Sequence, residues 1–239
     1  MRNKKIPALA LLIAIALSIF GAVYAHWSDI AYIDGVVEMG SLTLAYDDVE
    51  PPICTEFWLN HTSGQLVPGE FEDKEVGDCD AWYEGLIQDS HSDKWGYKRM
   101  IIEIYNAYPQ YYVYTTFILH NIGTIPLFVY GFDISGQKRD GAGNVIYDLL
   151  WHDPEGDVVG ELWEDVDGDG LVDPDVDILV INLKIQDRSF PLQIDPCQSE
   201  KMEIDMDFKQ EAQQCHHYTI HVDVLAVQWN KLYEVLPPD

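Results

Sequence analysis

Apolar positions along this chain recur in short runs rich in β-branched and aromatic residues, which clusters of Gly, Pro, Asn and Asp separate. This pattern is typical of antiparallel strands, and no stretch carries the period of a convincing amphipathic helix. The run 202–208 alternates apolar and acidic residues, so one of its faces is predicted to be core and the other carboxylate. Strands are predicted at 41–46, 100–105, 111–119, 125–134, 178–185, 202–208 and 218–229. The predicted fold is an all-β antiparallel sandwich.

Two strongly acidic stretches, 61–97 and 151–177, interrupt the predicted strands. We expect both to be loop insertions that decorate a single sandwich domain over 36–239. A structureless loop of such length is uncommon in a compact domain unless it is functional or carries small elements of its own.

The first residues have the composition of an export signal. A basic cluster ends at Lys5, the apolar run 6–23 follows, and small residues lead up to Ala25. Cleavage after Ala25 would remove a signal peptide, 1–25, and leave His26 as the mature N-terminus of a secreted protein. The alternative is a retained membrane anchor, because the apolar run is about long enough to span a bilayer.

The charge of the chain narrows the range of partners. Its formal net charge is -27, which repels nucleic acid and anionic lipid, so we expect neither as a partner. Disorder is the usual alternative for so acidic a chain. However, 47% hydrophobic and 12% aromatic residues predict a folded core.

Four cysteines in an exported chain predict disulfides, and three pairings are possible. We favour Cys54–Cys79 and Cys197–Cys215, because each closes a short local loop. Asn60 begins a glycosylation sequon, which suits a surface position in a secreted protein.

The sharpest motif is a run of alternating aspartates that matches the D-x-D-x-D-G start of a calcium loop. Calcium prefers six to eight hard oxygen ligands, Gly170 permits the sharp turn, and Leu171 offers its backbone carbonyl. Val176 stands where an EF-hand has a bidentate Glu, so Asp175 or Asp177 would have to substitute. The alternative is a solvated acidic turn. The candidate calcium ligands are Asp165, Asp167, Asp169, Leu171, Asp173, Asp175 and Asp177.

Several motifs together resemble the TasA/camelysin family, in its archaeal branch of bundling pili and cannula-type tube subunits. They are HWSD at 26–29, GSLTL at 40–44, LHNIGTIPL at 119–127 and VQWN at 227–230. The resemblance implies a jelly-roll sandwich that a dedicated signal peptidase of the SipW type releases. It also implies a homopolymer, joined by donor-strand complementation, in an extracellular filament or biofilm matrix.

Carried onto this sequence, the resemblance makes residues 26–35 the donor strand that inserts into the next subunit. Its anchors would be His26, Trp27, Ile30, Tyr32 and Ile33. The expected function is a structural subunit stabilised by calcium, and not an enzyme. The alternatives are a monomeric surface adhesin and a camelysin-like metalloprotease, although the sequence contains no protease metal motif.

Overall fold

Antiparallel strands make up most of the computed structural model, which describes residues 40–60, 63–69, 77–108, 111–153, 159–186, 190–212 and 216–231. The first strands are β1 Leu44–Tyr46, β2 Ile53–Asn60, β3 Gln65–Pro68, β4 Asp78–Gln88, β5 Trp95–Tyr105, β6 Tyr111–Asn121 and β7 Leu127–Arg139. The rest are β8 Val145–His152, β9 Val159–Glu164, β10 Ile178–Gln186, β11 Leu192–Ile194, β12 Ser199–Phe208 and β13 His217–Gln228. A 3-10 turn, Trp229–Lys231, follows β13. None of the described residues forms a helix with the length and apolar character that a membrane span requires.

Nine of these strands form a closed antiparallel barrel. Around the barrel they follow the order β1, β5, β13, β7, β8, β9, β10, β12, β6. The ring closes where β6 pairs with β1, with Leu44 opposite Asn121. Outside the ring, β2 and β3 extend from β6, β4 lies along β5, and β11 pairs with β7.

The prediction of an all-β chain is confirmed, whereas the jelly-roll sandwich is not. Strand pairing continues around the ring instead of dividing the strands into two separate sheets. The two acidic stretches also differ from the predicted loop insertions. The first contains β3 and β4, and the second contains β9, a member of the ring. In β9 the buried residues Gly160, Leu162 and Glu164 alternate with more exposed ones, so two acidic residues, Glu161 outside and Glu164 inside, concealed a barrel strand.

The barrel interior is filled by apolar side chains that alternate with more exposed residues along the strands. On β12, Met202, Ile204, Met206 and Phe208 are each at most 1% exposed, as their alternation with acidic residues predicts. Each such side chain contributes roughly 1.5–3 kcal/mol when fully buried. On β13 the buried residues include Ile220 and Val222.

A disulfide joins Cys54 on β2 to Cys79 on β4, with 5.9 Å between their Cα atoms. Cys197 is exposed and is not bonded to any described cysteine. Its predicted partner, Cys215, lies outside the described residues, so that pairing stays a prediction. The signal peptide 1–25 and the donor strand 26–35 also lie outside them, and only the backbone of Asn60, at the end of β2, is described.

Asp89 ties the segment before β1 to the turn between β4 and β5. Its side chain, 3% exposed, accepts hydrogen bonds from Thr43 Oγ1 at 2.6 Å and from the backbone N–H groups of His91 and Ser92, each at 2.9 Å. Burial alone would raise the pKa of Asp89, but the hydrogen bonds from Thr43 and the turn outweigh it and hold the pKa well below its usual range.

We expect Asp89→Asn to lower the free energy of unfolding by about 1–3 kcal/mol at about pH 7, because buried donors lose a charged acceptor. A depressed pKa in the folded state contributes stability above the unfolded pKa of about 3.9, and this contribution is lost as the pH falls towards the folded value. The difference between wild type and variant should therefore shrink in acid, as measured by urea unfolding. The control is Asp93→Asn, because Asp93 is an exposed carboxylate in the same turn. An equal loss in both variants would contradict the role of Asp89.

Candidate cation site in the loop between β9 and β10

The aspartate-rich loop is the connection of a β-hairpin. β9 ends at Glu164, β10 begins at Ile178, and these two residues are paired across the hairpin. The intervening chain turns sharply at Gly168 and Gly170, whose φ angles of 75° and 77° lie in the left-handed region that favours glycine. Register between the two strands therefore brings the two ends of the loop, Asp165 and Asp177, side by side.

The carboxylates at the two ends of the loop shape its backbone. Asp165 is 8% exposed and accepts hydrogen bonds from the N–H of Gly168 at 2.7 Å and of Gly170 at 3.1 Å. Asp177 is 7% exposed and accepts from the N–H of Val166 at 3.0 Å and of Asp173 at 2.8 Å. Because both ends hold the backbone between them, the loop is curled around these two side chains.

Three carboxylates converge in this loop. Asp165, Asp167 and Asp177 each offer an oxygen, and the three oxygens lie within 4.8 Å of one another. Two oxygens that both contact Ca²⁺ at about 2.3–2.6 Å can be at most about 5 Å apart, so the spacing suits a shared cation. The hydrogen bond from the N–H of Asp169 lowers the pKa of Asp167. Desolvation by the surrounding loop and the charges of Asp169, Asp177 and Asp165 outweigh it, so the pKa is raised although Asp167 is exposed.

The other predicted ligands lie away from this point of convergence. Asp169 and Asp173 each accept a hydrogen bond from the N–H two residues further along, at 2.8 and 3.0 Å. Asp175 is exposed, and Leu171 at the loop tip is 69% exposed. Of the two substitutes that the sequence left open, the hairpin brings Asp177 to the cluster, because Asp177 directly precedes the first paired residue of β10.

A buried ion pair, one partner of which directly precedes the loop, was not predicted from the sequence. Lys138 on β7 and Glu164 on β9 are 0% and 1% exposed, and Lys138 Nζ lies 2.7 and 2.9 Å from the two carboxylate oxygens. The hydroxyl of Tyr218 lies 3.5 Å from one of these oxygens. The carboxylate of Glu164 is therefore neutralised by Lys138 in the core. The alternation along β7 could have predicted that Lys138 is buried, because Lys138 and Ile134 are an even number of positions apart and point to the same face of the strand.

Neither a protein-family model, nor a curated protein, nor a solved structure matches this chain. The functional proposal therefore rests on the residues of the chain itself and on the motifs described above.

Proposed function

We propose that this chain is a structural subunit of an extracellular filament or tube, which polymerises when the N-terminal segment of one copy pairs with an open strand edge of the next. The observation that carries this proposal is an unpaired edge at the end of β13. Pairing of an extended segment to such an edge supplies affinity through main-chain hydrogen bonds, and specificity through alternate side chains.

The open edge arises where two strands diverge from β5. β13 pairs with β5 only as far as Asp223, opposite Arg99, whereas its pairing with β7 continues to Gln228. β1 pairs with β5 at Tyr97 and then follows β6. Among the described residues, Val224–Gln228 therefore have no strand partner on the β5 side. An edge of this kind is an aggregation hazard unless a partner covers it.

The outer edge of β4 is also unpaired among the described residues, but carboxylates of β4 itself accept hydrogen bonds from its backbone N–H groups. The N–H groups of Cys79 and Ala81 donate to the carboxylates of Asp78 and Asp80 at 2.9 and 2.8 Å. The disulfide from Cys79 to β2 further restricts approach. No comparable carboxylate cap is found along Val224–Gln228 in the part of the chain that the structure describes, which supports the β13 edge as the acceptor.

The donor in this proposal is residues 26–35. Its proposed anchors, among them Trp27, Ile30 and Ile33, are apolar side chains that pairing with the edge Val224–Gln228 would bring into contact with the next subunit. The free N-terminal segment would exist only after the signal peptide is removed, so polymerisation would follow export. A contact of this kind joins two different surfaces and does not close on itself, which is the geometry of a filament.

Calcium is the second part of the proposal. The oxygens of Asp165, Asp167 and Asp177 are hard ligands at a suitable mutual distance, and the raised pKa of Asp167 reflects charge that a cation would neutralise. Bound calcium would hold the hairpin in one conformation and reduce the repulsion within a strongly acidic subunit, since the whole chain carries a net charge of -27.

Deletion of residues 26–34 is the direct test of the assembly mechanism. We expect the shortened protein to fold and to remain monomeric, because it keeps the barrel and loses the donor. Electron microscopy and sedimentation velocity would compare it with the mature protein. A synthetic peptide of residues 26–35 should block assembly of the intact protein, and a scrambled peptide should not. Filaments of the shortened protein would refute donor pairing.

Removal of calcium tests the second part. A ligand that binds only the folded state at about 100 times its Kd stabilises it by about 2.7 kcal/mol, so calcium should raise the Tm and a chelator should reverse the rise. Asp177→Asn should abolish this response. Asp175→Asn is the matched control, since Asp175 is an exposed aspartate in the same loop outside the convergent group. A calcium response that is unchanged in the Asp177 variant would exclude this site.

A further inference from the structure

An aromatic slot lies between side chains of β4 and β5 and the loop that joins β1 to β2. It has a volume of about 240 Å³ and is lined by Trp82, Tyr83 and Tyr97. The rings of Tyr83 and Tyr97 are stacked with 5.7 Å between their centroids. Behind them, the buried ring of Tyr46 stacks on Tyr83 at 5.1 Å, so the inner wall of the slot is a fixed series of three aromatic rings.

The opposite wall of the slot is the loop between β1 and β2. Asp47 and Asp48 line it, together with Pro51 and Pro52. The hydroxyl of Tyr83 accepts a hydrogen bond from the N–H of Ile118 at 3.4 Å, which positions this ring. None of the described Lys or Arg residues lines the slot, so its lining combines two aspartates and three aromatic residues without a basic one.

Electrostatics at the slot favour positive charge. The faces of aromatic rings carry partial negative charge, and two carboxylates add full charges beside them. Burial is the main cause that raises the pKa of Tyr83 to about 12; the hydrogen bond from Ile118 opposes this rise, and the charges of Asp47 and Glu50 add to it. A neutral apolar ligand would gain the ring contacts but not the charges. An anion would be repelled by both.

We propose that the slot bounded by Trp82, Tyr83, Tyr97, Asp47 and Asp48 binds an alkylammonium group. Rings with neighbouring carboxylates form the kind of aromatic cage that recognises ammonium and methylated ammonium groups. The group could belong to a free amine or to a lysine side chain of a second copy of this chain. Both sources present the same chemistry to the rings, and the proposal does not depend on the polymerisation described above.

The binding test uses the folded wild-type protein at constant ionic strength. Tetramethylammonium chloride is the probe, and tryptophan fluorescence or NMR of the indole N–H is the readout. We expect saturable binding of tetramethylammonium and of 1,5-diaminopentane. We expect none with tert-butanol, which has a similar shape without the charge. An equal response to tert-butanol, or a response without saturation, would overturn the proposal.

Variants locate the site. Trp82→Leu should weaken binding about tenfold, and Asp48→Asn should weaken it about threefold, since each removes one attraction for the cation. Trp95→Leu is the matched control, because Trp95 is exposed on the same hairpin and does not line the slot. Unchanged binding in the Trp82 variant, or an equal loss in the Trp95 variant, would overturn the assignment.

A further arm distinguishes the two sources of the ammonium group. If a lysine of a second copy occupies the slot, tetramethylammonium should reduce self-association in sedimentation equilibrium, and Trp82→Leu should reduce it in the absence of the probe. If a free amine is the ligand, self-association should not change while probe binding remains saturable. Absence of probe binding in the folded wild-type protein would reject both sources, whatever happens to polymerisation.

Discussion

Replacing Lys138 with Met is expected to lower the free energy of unfolding by about 3–5 kcal/mol, because it leaves the carboxylate of Glu164 buried in the barrel without a counter-charge. Glu164 is 1% exposed, and its other described contact is the hydroxyl of Tyr218 at 3.5 Å. One neutral hydroxyl at that distance does not compensate for the lost ammonium group. Chemical denaturation followed by circular dichroism measures the loss.

The double variant Lys138→Met/Glu164→Leu separates the cost of an unpaired charge from the value of the pair. It should recover most of the lost stability, because replacing both partners of a buried ion pair by apolar residues is often neutral or stabilising. Lys209→Met is the surface control. Lys209 is 2.8 Å from Asp207 but both side chains are partly exposed, so its loss should cost less than about 1 kcal/mol. A loss in Lys138→Met as small as in this control would contradict burial of the pair.

Removing the disulfide between Cys54 and Cys79 should lower the free energy of unfolding by about 3 kcal/mol. The two cysteines are separated by 25 positions, and a crosslink of that span restricts the unfolded chain by about this amount. The bond also attaches β4, whose one strand partner among the described residues is β5, to the strand β2. Urea unfolding of Cys54→Ala/Cys79→Ala against the oxidised wild type gives the value.

Single variants provide the control for the disulfide. Cys54→Ala and Cys79→Ala should each lose about as much stability as the double variant, because either one breaks the same bond. Additive losses from the two single variants would instead indicate separate packing roles for the two side chains and would contradict a crosslink.

Strands whose alternation is regular were predictable from the sequence. The apolar residues of 202–208 are the buried ones in β12, and Ile220 and Val222 are buried in β13, where Tyr218 and Thr219 are buried as well. β4 and β9 were missed, because Asp78, Asp80 and Glu161 gave these stretches the composition of loops. Closure of the ring depends on the short pairing of β1 with β6, and a contact between residues so far apart in sequence leaves no local periodic signal.

The candidate cation site was predictable in composition but not in geometry. The D-x-D-x-D-G spacing identified Asp165 and Asp167, and left Asp175 and Asp177 open. The register of the β9–β10 hairpin selects Asp177, because the pairing of Glu164 with Ile178 brings Asp177 next to Asp165. That register depends on strand packing across the barrel, which a motif does not encode.

Ring closure has a consequence for how the molecule opens. Each strand of the ring pairs with a neighbour on both sides over at least part of its length, so none can leave without breaking hydrogen bonds to two neighbours. Of the described strands, β2, β3, β4 and β11 lie outside it; β3 and β11 are short, and the disulfide tethers β4. Slow amide exchange is therefore expected where ring strands are paired on both sides, with earlier exchange in these outlying strands, in the loops and at the open edge Val224–Gln228.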